Sequence, residues 1–148
     1  MAATAGVETE RLSQEVPLCI DCDGTLLRTD LLHEAVLLLL KRAPLKFLLL
    51  PFWLMRGKAA LKQRLAQAVA PDWATLPING DVLELARRAR SDGRKVVLAT
   101  ASHQSLADGL AEHLDAFDEV IGSDGRTNLS GTAKRQQLIA RFGFRGFD

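Results

Sequence analysis

Three short apolar runs punctuate the chain, and each ends in a polar stretch bearing hydroxyls, carboxylates or glycine. Pro17 to Ile20 leads into Asp21-Cys22-Asp23-Gly24-Thr25, Lys95 to Ala99 into Thr100-Ala101-Ser102, and Phe117 to Gly122 into Ser123-Asp124-Gly125. Continuous apolar runs of this length fit strands buried on both faces. Between them the apolar period lengthens to that of a helix. Asp81 to Ser91 gathers Val82, Leu83, Leu85, Ala86 and Ala89 on one side, spreads Arg87, Arg88 and Arg90 over the rest, and meets a stop at Asp92-Gly93. Ser102 is placed to cap a helix from His103 to Leu114, and Gly131 to Phe142 reads as a further helix halted by Gly143. Strand and helix in alternation predict an α/β fold, a parallel sheet covered by helices.

One segment departs from this rhythm. Leu31 to Met55 holds 11 leucines in 25 residues, together with Phe47, Phe52 and Trp53. Lys41 to Arg64 carries seven basic residues and no acidic one. A membrane-spanning helix needs about 20 uninterrupted apolar residues. Here Lys41, Arg42, Pro44, Lys46 and Pro51 break the run, which predicts a kinked helical hairpin. Its apolar faces pack on each other or on the core, or the hairpin rests on a membrane surface with the leucines and Trp53 inserted and the basic residues at anionic headgroups. A contact with another protein is the third option.

The 148 residues are 47% hydrophobic and 25% charged with a formal net charge of +1, which suits a single domain able to bury a core without disulfides or metal staples. That balance argues against a general nucleic-acid binder. The composition also excludes collagen-like and wholly disordered chains, and no series of alternating segments suggests a porin-like barrel. Met1 to Glu15 has no apolar stretch of the secretory kind, so residues 1–16 read as a flexible tail and the setting as cytoplasmic. Cys19 and Cys22 stand in C-x-x-C spacing. A redox pair or half a zinc site is conceivable, but His33, His103 and His113 supply no second ligand pair. Two small apolar residues on and just after a buried strand explain them better.

The chemistry concentrates at the end of the first strand. Ligands of open parallel sheets bind at the carboxyl ends of the strands. Asp21 and Asp23 flank one residue there, so both carboxylates can face one small volume, and their mutual repulsion calls for a cation. Mg²⁺ suits carboxylate oxygens. Gly24 lets backbone amides approach an anion, and Thr25 adds a hydroxyl and an amide. The set suits phosphoryl transfer, one carboxylate attacking phosphorus and the other handling the leaving-group proton.

Cys19 through Leu26 resembles the first motif of the haloacid dehalogenase (HAD) superfamily, a hydrophobic strand followed by D-x-D-G-T. Val96 through Ser102 is similar to its second motif, a strand ending in Thr or Ser, and Lys134 in Gly131-Thr132-Ala133-Lys134 matches the lysine of the third. The resemblance implies a Rossmann-like HAD core with a parallel sheet and an inserted helical cap. The core would comprise 17–30 and 94–148 and the cap 31–93. It implies Asp21 as the nucleophile that becomes an aspartyl-phosphate and Asp23 as the acid and then the base. Thr100 would hydrogen-bond a phosphoryl oxygen, and Lys134 would offset the charge of Asp21 and the phosphate. Mg²⁺ would bind the Asp21 carboxylate and the Asp23 main-chain carbonyl. Gly24, Thr25, Ala101 and Ser102 would line the phosphate, with Ser102 and the following helix N-terminus adding amide donors.

The family's fourth motif, aspartates after a further strand, has no counterpart before Asp148, and Asp124 follows the wrong strand. The chain therefore reads as an N-terminal piece of a longer product, weakly active at most by itself. Asp30 to Glu34, Leu50 to Lys62 and Ser123 to Leu129 look like a narrower group, in which such a domain precedes a polytopic UbiA-type prenyltransferase. That likeness implies a position at the cytoplasmic face of a membrane and an apolar or polyprenyl-linked phosphate as substrate. The alternative is a non-catalytic HAD-like module that lies on a membrane or binds a partner.

Overall fold

The structure, a computed structural model, describes residues 16–124, 128–129, 131–143 and 146. The expected tail lies outside these residues except for Val16, whose carbonyl accepts from Arg94 Nε at 2.6 Å. Gly125, Arg126, Thr127 and Asp148 also lie outside them.

Three parallel strands form one sheet in the order β1 (Leu18–Asp21), β2 (Val96–His103) and β3 (Glu119–Ser123). Leu18 faces Val96 and Asp21 faces Ala99 across the first pair, and Ala99 faces Ile121 across the second. Side chains alternate across a strand. Accordingly Ile20, Val96 and Leu98 join one apolar cluster, while Val97, Ala99 and Ile121 join another, with Cys19 packed against it. The first cluster is closed by α5 (Gly80–Ser91) through Ala86 and by α6 (Gln104–Leu114) through Leu106, Leu110 and Leu114. The second is closed by α7 (Gly131–Phe142) through Leu138. The fold is α/β, a parallel sheet with helices on both faces.

The segment after β1 supplies α1 (Leu31–Arg42), α2 (Pro44–Phe47), α3 (Leu50–Met55) and α4 (Lys58–Ala68). Pro44 and Pro51 both fall in the first turn of a helix, where a missing N–H costs nothing, so they divide the leucine-rich run into short helices. Leu31, Ala35 and Leu39 form the buried stripe of α1, and Leu65 meets it from α4. The chain returns to the sheet through Leu76 to Asn79. There Asn79 N donates to Leu26 O at 2.7 Å and Arg28 N to Pro77 O at 2.9 Å.

Three local expectations change. β2 does not stop at Ala99 but continues to His103, so Thr100, Ala101 and Ser102 belong to the strand. Consequently α6 starts at Gln104, and its cap is His103, whose Nδ1 accepts from Ser105 N, not Ser102. The Ser102 hydroxyl is drawn to Asp23 instead. Leu85 is exposed rather than packed: α5 packs on the core through Val82, Leu83, Ala86 and Ala89, and Leu85 lies about 100° round the helix from Ala86, its one buried residue. Finally, Leu18 and Cys19 are only half-buried. Among the described residues β1 pairs with β2 alone.

Gly122 on β3 lies against the first residue of α6. Gln104 clamps it, accepting from Gly122 N at 2.6 Å and donating to Val120 O at 3.1 Å. A Cβ added at Gly122 would stand 2.8 Å from the Gln104 Cα, which is backbone and cannot swing aside. Gly122→Ala should therefore destabilise the chain by about 1–3 kcal/mol, read as a lower denaturant midpoint with an unchanged slope.

Candidate active site

Strand alternation decides which face each acidic residue serves. On β1, Cys19 joins the cluster beneath α7, and Asp21, two residues on, points the same way. Lys134 rises from the first turns of α7 and places Nζ 2.5 Å from Asp21 Oδ1. Both side chains are half-buried. Asp21 Oδ2 receives no donor among the described residues.

After Asp21 the chain turns sharply. Gly24 sits at φ +79°, a backbone state that other residues adopt at a cost. Leu26 N then bonds Asp21 O at 3.2 Å and Leu27 N bonds Cys22 O at 2.8 Å. Cys22, Leu26 and Leu27 are fully buried, so apolar anchors hold the turn from beneath. The turn gives Asp23 partners different from those of Asp21. Its Oδ1 accepts from Leu31 N, the first residue of α1, at 2.9 Å. Its Oδ2 accepts from Thr100 Oγ1 at 3.3 Å and Ser102 Oγ at 3.1 Å. Burial pushes the Asp23 carboxyl above the usual range. The Leu31 amide opposes that rise, the Asp30 charge reinforces it, and the Ser102 and Thr100 hydroxyls oppose it.

The remaining sequence candidates divide. Thr100 is fully buried and its single hydroxyl proton points to Asp23, while its oxygen accepts from Ser102 N at 3.0 Å. Both the amide and the hydroxyl of Ser102 are thus engaged within the chain, as is the hydroxyl of Thr100. The Ala101 carbonyl accepts from Ser123 Oγ at 2.7 Å. The amides of Gly24 and Thr25 make long bonds of 3.4 Å to Thr29 O and Cys22 O, and both residues are exposed.

A residue outside every motif enters the same site. Lys62, on α4, donates from Nζ to Ala101 O and to Asn128 Oδ1, each at 2.6 Å. Burial lowers its pKa, and the charges of Asp23 and Asp30 oppose that. An ammonium group thus stands in the field of the site carboxylates, at the carboxyl end of β2. In the sequence it stands in a basic stretch without acidic neighbours and ends the Leu50 to Lys62 segment of the narrower resemblance, neither of which assigns it to the site.

Among the described residues no three His, Cys, Asp or Glu side chains converge as metal ligands, and Asp124 is exposed at the end of β3. The donors that fit Mg²⁺ are the Asp21 carboxylate and the main-chain carbonyl of Asp23. The Asp23 carboxylate itself is taken up by its three donors. Mg²⁺ commonly keeps several waters and takes only one or two carboxylates, so this set suits it. His33 is exposed on α1, and neither it nor His113 makes a contact to the carboxylate pair. Cys19 and Cys22 are not joined in a disulfide. Burial drives the Cys22 thiol far up in pKa, with the charges of Asp23 and Asp21 adding to the rise.

Comparison with known proteins adds three findings. The haloacid dehalogenase-like hydrolase family matches residues 18–141. The uncharacterized protein y4nM of Sinorhizobium fredii is 38% identical over 137 residues, which cover 92% of this chain and 26% of that protein; the chain thus spans about a quarter of this curated relative's length. Two solved structures share the architecture. A HAD family hydrolase from Salmonella enterica serovar Typhi aligns with a TM-score of 0.55 at 13% identity, over 86% of this chain and 52% of its own. A protein with unknown function from Bordetella pertussis Tohama I aligns with a TM-score of 0.51 at 17% identity, over 73% and 60%. At such identities the likeness is one of fold.

A water-soluble maleimide at neutral pH should leave Cys22 unmodified in the folded chain, because its thiol is enclosed and held protonated. Peptide mapping by mass spectrometry should show modification at Cys22 only after denaturant is added.

Proposed function

The chain belongs to the haloacid dehalogenase-like hydrolase family, and we propose that it hydrolyses phosphomonoesters in a Mg²⁺-dependent reaction through an aspartyl-phosphate on Asp21. The observation that carries this reading is the 2.5 Å contact between Lys134 and one oxygen of Asp21, which leaves the other oxygen open. In the first step Asp21 Oδ2 attacks phosphorus, and the ester P–O bond breaks. The departing oxygen takes a proton from Asp23, whose burial favours the protonated acid. In the second step Asp23, now a carboxylate, accepts a proton from water, and the water oxygen attacks the phosphorus of the acyl phosphate. The Asp21 carboxylate and inorganic phosphate leave. Lys134 reduces the repulsion between Asp21 and an incoming phosphate dianion. Mg²⁺, held by Asp21 and the Asp23 carbonyl, would supply further positive charge at the phosphoryl oxygens. Thr100 and Ser102 orient Asp23. Lys62 adds a cation from the inserted helices, which read as a substrate-selecting cap.

Two helices support an apolar phosphate ester as the substrate. α1 begins at Leu31, whose amide bonds the Asp23 carboxylate, and carries Val36 about 7.5 Å further along its axis. α4 presents Lys62 to the site and the adjacent Leu61 to an apolar cleft. That cleft measures about 470 Å³ and is lined by Val36, Phe47, Leu50, Leu54 and Leu61 among others. A phosphate at Asp21 with a hydrocarbon chain in the cleft satisfies both. The proposal extends to a polyprenyl-linked phosphate handled at the cytoplasmic face of a membrane, by the N-terminal part of a longer prenyltransferase-fused protein. The second reading, a module without catalysis, draws on the large apolar side chains exposed between Leu37 and Met55.

Turnover of an aryl phosphate by the gene product should require Mg²⁺ and stop with EDTA. Asp21→Asn should reduce it on the order of 10³-fold or more, and Asp23→Asn by about 10²–10⁴-fold. Turnover untouched by Asp21→Asn removes the phosphatase reading and leaves the second one. Lys62→Met should raise KM for an alkyl phosphate about tenfold while changing kcat less, as loss of one charged contact to the bound phosphate predicts.

A further inference from the structure

We propose that the face built by α1, α2 and α3 docks on an anionic phospholipid surface, independently of whether Asp21 is catalytic. Single exposed leucines are ordinary on a protein surface. Here they are crowded: Leu37 is 62% exposed, Leu45 81%, Leu48 73%, Phe52 53%, Leu54 51% and Met55 84%, all within one short stretch of chain. The same stretch segregates charge. Lys41 to Arg64 holds seven of the 19 basic residues and none of the 18 acidic ones, although the whole chain is nearly neutral. Lys41, Arg42, Lys46, Arg56 and Lys58 are all exposed.

This combination selects among occupants. A second copy would bring the same cations face to face, and like charges at such a contact cost affinity. A bilayer offers hydrocarbon for the leucines and phosphate headgroups for the cations at matching depth. Arg56 lies over the Phe52 ring, 5.1 Å from its centroid, an arrangement suited to a boundary with an apolar side and a charged side. No described helix is long and apolar enough to cross a membrane. Short helices broken at Pro44 and Pro51 match a mode that lies on the surface instead.

The test uses co-sedimentation with vesicles of phosphatidylcholine alone and of phosphatidylcholine with about a third phosphatidylglycerol. The expected result is binding to the anionic vesicles at least about tenfold tighter than to neutral ones, weakened by salt. Trp53 emission should shift to the blue on binding, and Trp53→Phe should remove the shift. Leu45→Glu with Met55→Glu should abolish binding. Lys46→Glu with Arg56→Glu should weaken it by about fivefold or more per residue. All four residues are exposed and lie outside the catalytic machinery and the lining of the cleft, so circular dichroism and any aryl-phosphate turnover should stay unchanged. Equal binding to neutral vesicles, or none to anionic ones, overturns the proposal. So does a concentration-dependent dimer that Leu45→Glu with Met55→Glu dissociates, which would assign the face to a second copy.

Discussion

The Asp23 carboxylate is where the sheet and the inserted helices are joined. One of its oxygens takes the first free amide of α1, and the other takes two hydroxyls from the end of β2. Helix starts leave such amides without partners, and a carboxylate is a strong acceptor for them. The orientation of α1 relative to the sheet therefore depends on an acidic side chain that is itself costly to bury. Its donors offset that cost in part, but burial outweighs them, so the carboxyl's pKa is raised. The structural duty of Asp23 and its suitability as an acid thus have the same cause.

Two cations complete the electrostatics from opposite sides of the sheet edge. Lys134 arrives on α7 and meets Asp21, whereas Lys62 arrives on α4 and meets the Ala101 carbonyl. The difference follows from strand geometry. Asp21 continues the side of β1 that faces α7, while the turn at Gly24 brings Asp23 round toward α1. Neighbouring carboxylates that would repel in one volume are thereby assigned separate donors, and one oxygen of Asp21 is left for chemistry.

Much of this was legible because it is local. The apolar runs that became β1, β2 and β3, and the period that became α5, α6 and α7, report burial directly. The D-x-D-G-T segment announced a turn with two carboxylates. What stayed hidden depends on partners remote in the chain. β2 runs past Ala99 because Thr100 and Ser102 find Asp23, which lies 77 and 79 residues away. The same contact strips Ser102 of the capping role its residue type suggests. Lys62 sits in a stretch where every cation looks alike, and only its position on α4 opposite the end of β2 distinguishes it from Lys58 or Arg64, which stay exposed.

The leucine-rich segment shows the limit of pattern reading in a different way. Periodicity tells whether an apolar residue can be buried against its own chain, and for Leu31, Ala35 and Leu39 it is. Their neighbours Leu37 and Leu40 have no such partner and remain exposed on the same helix. A helix apolar on nearly all sides is stable only if something covers the second side. Because the first amide of α1 bonds Asp23, whatever covers that side also bears on the element that holds this carboxylate. Site and surface are thus mechanically continuous through one helix of 12 residues.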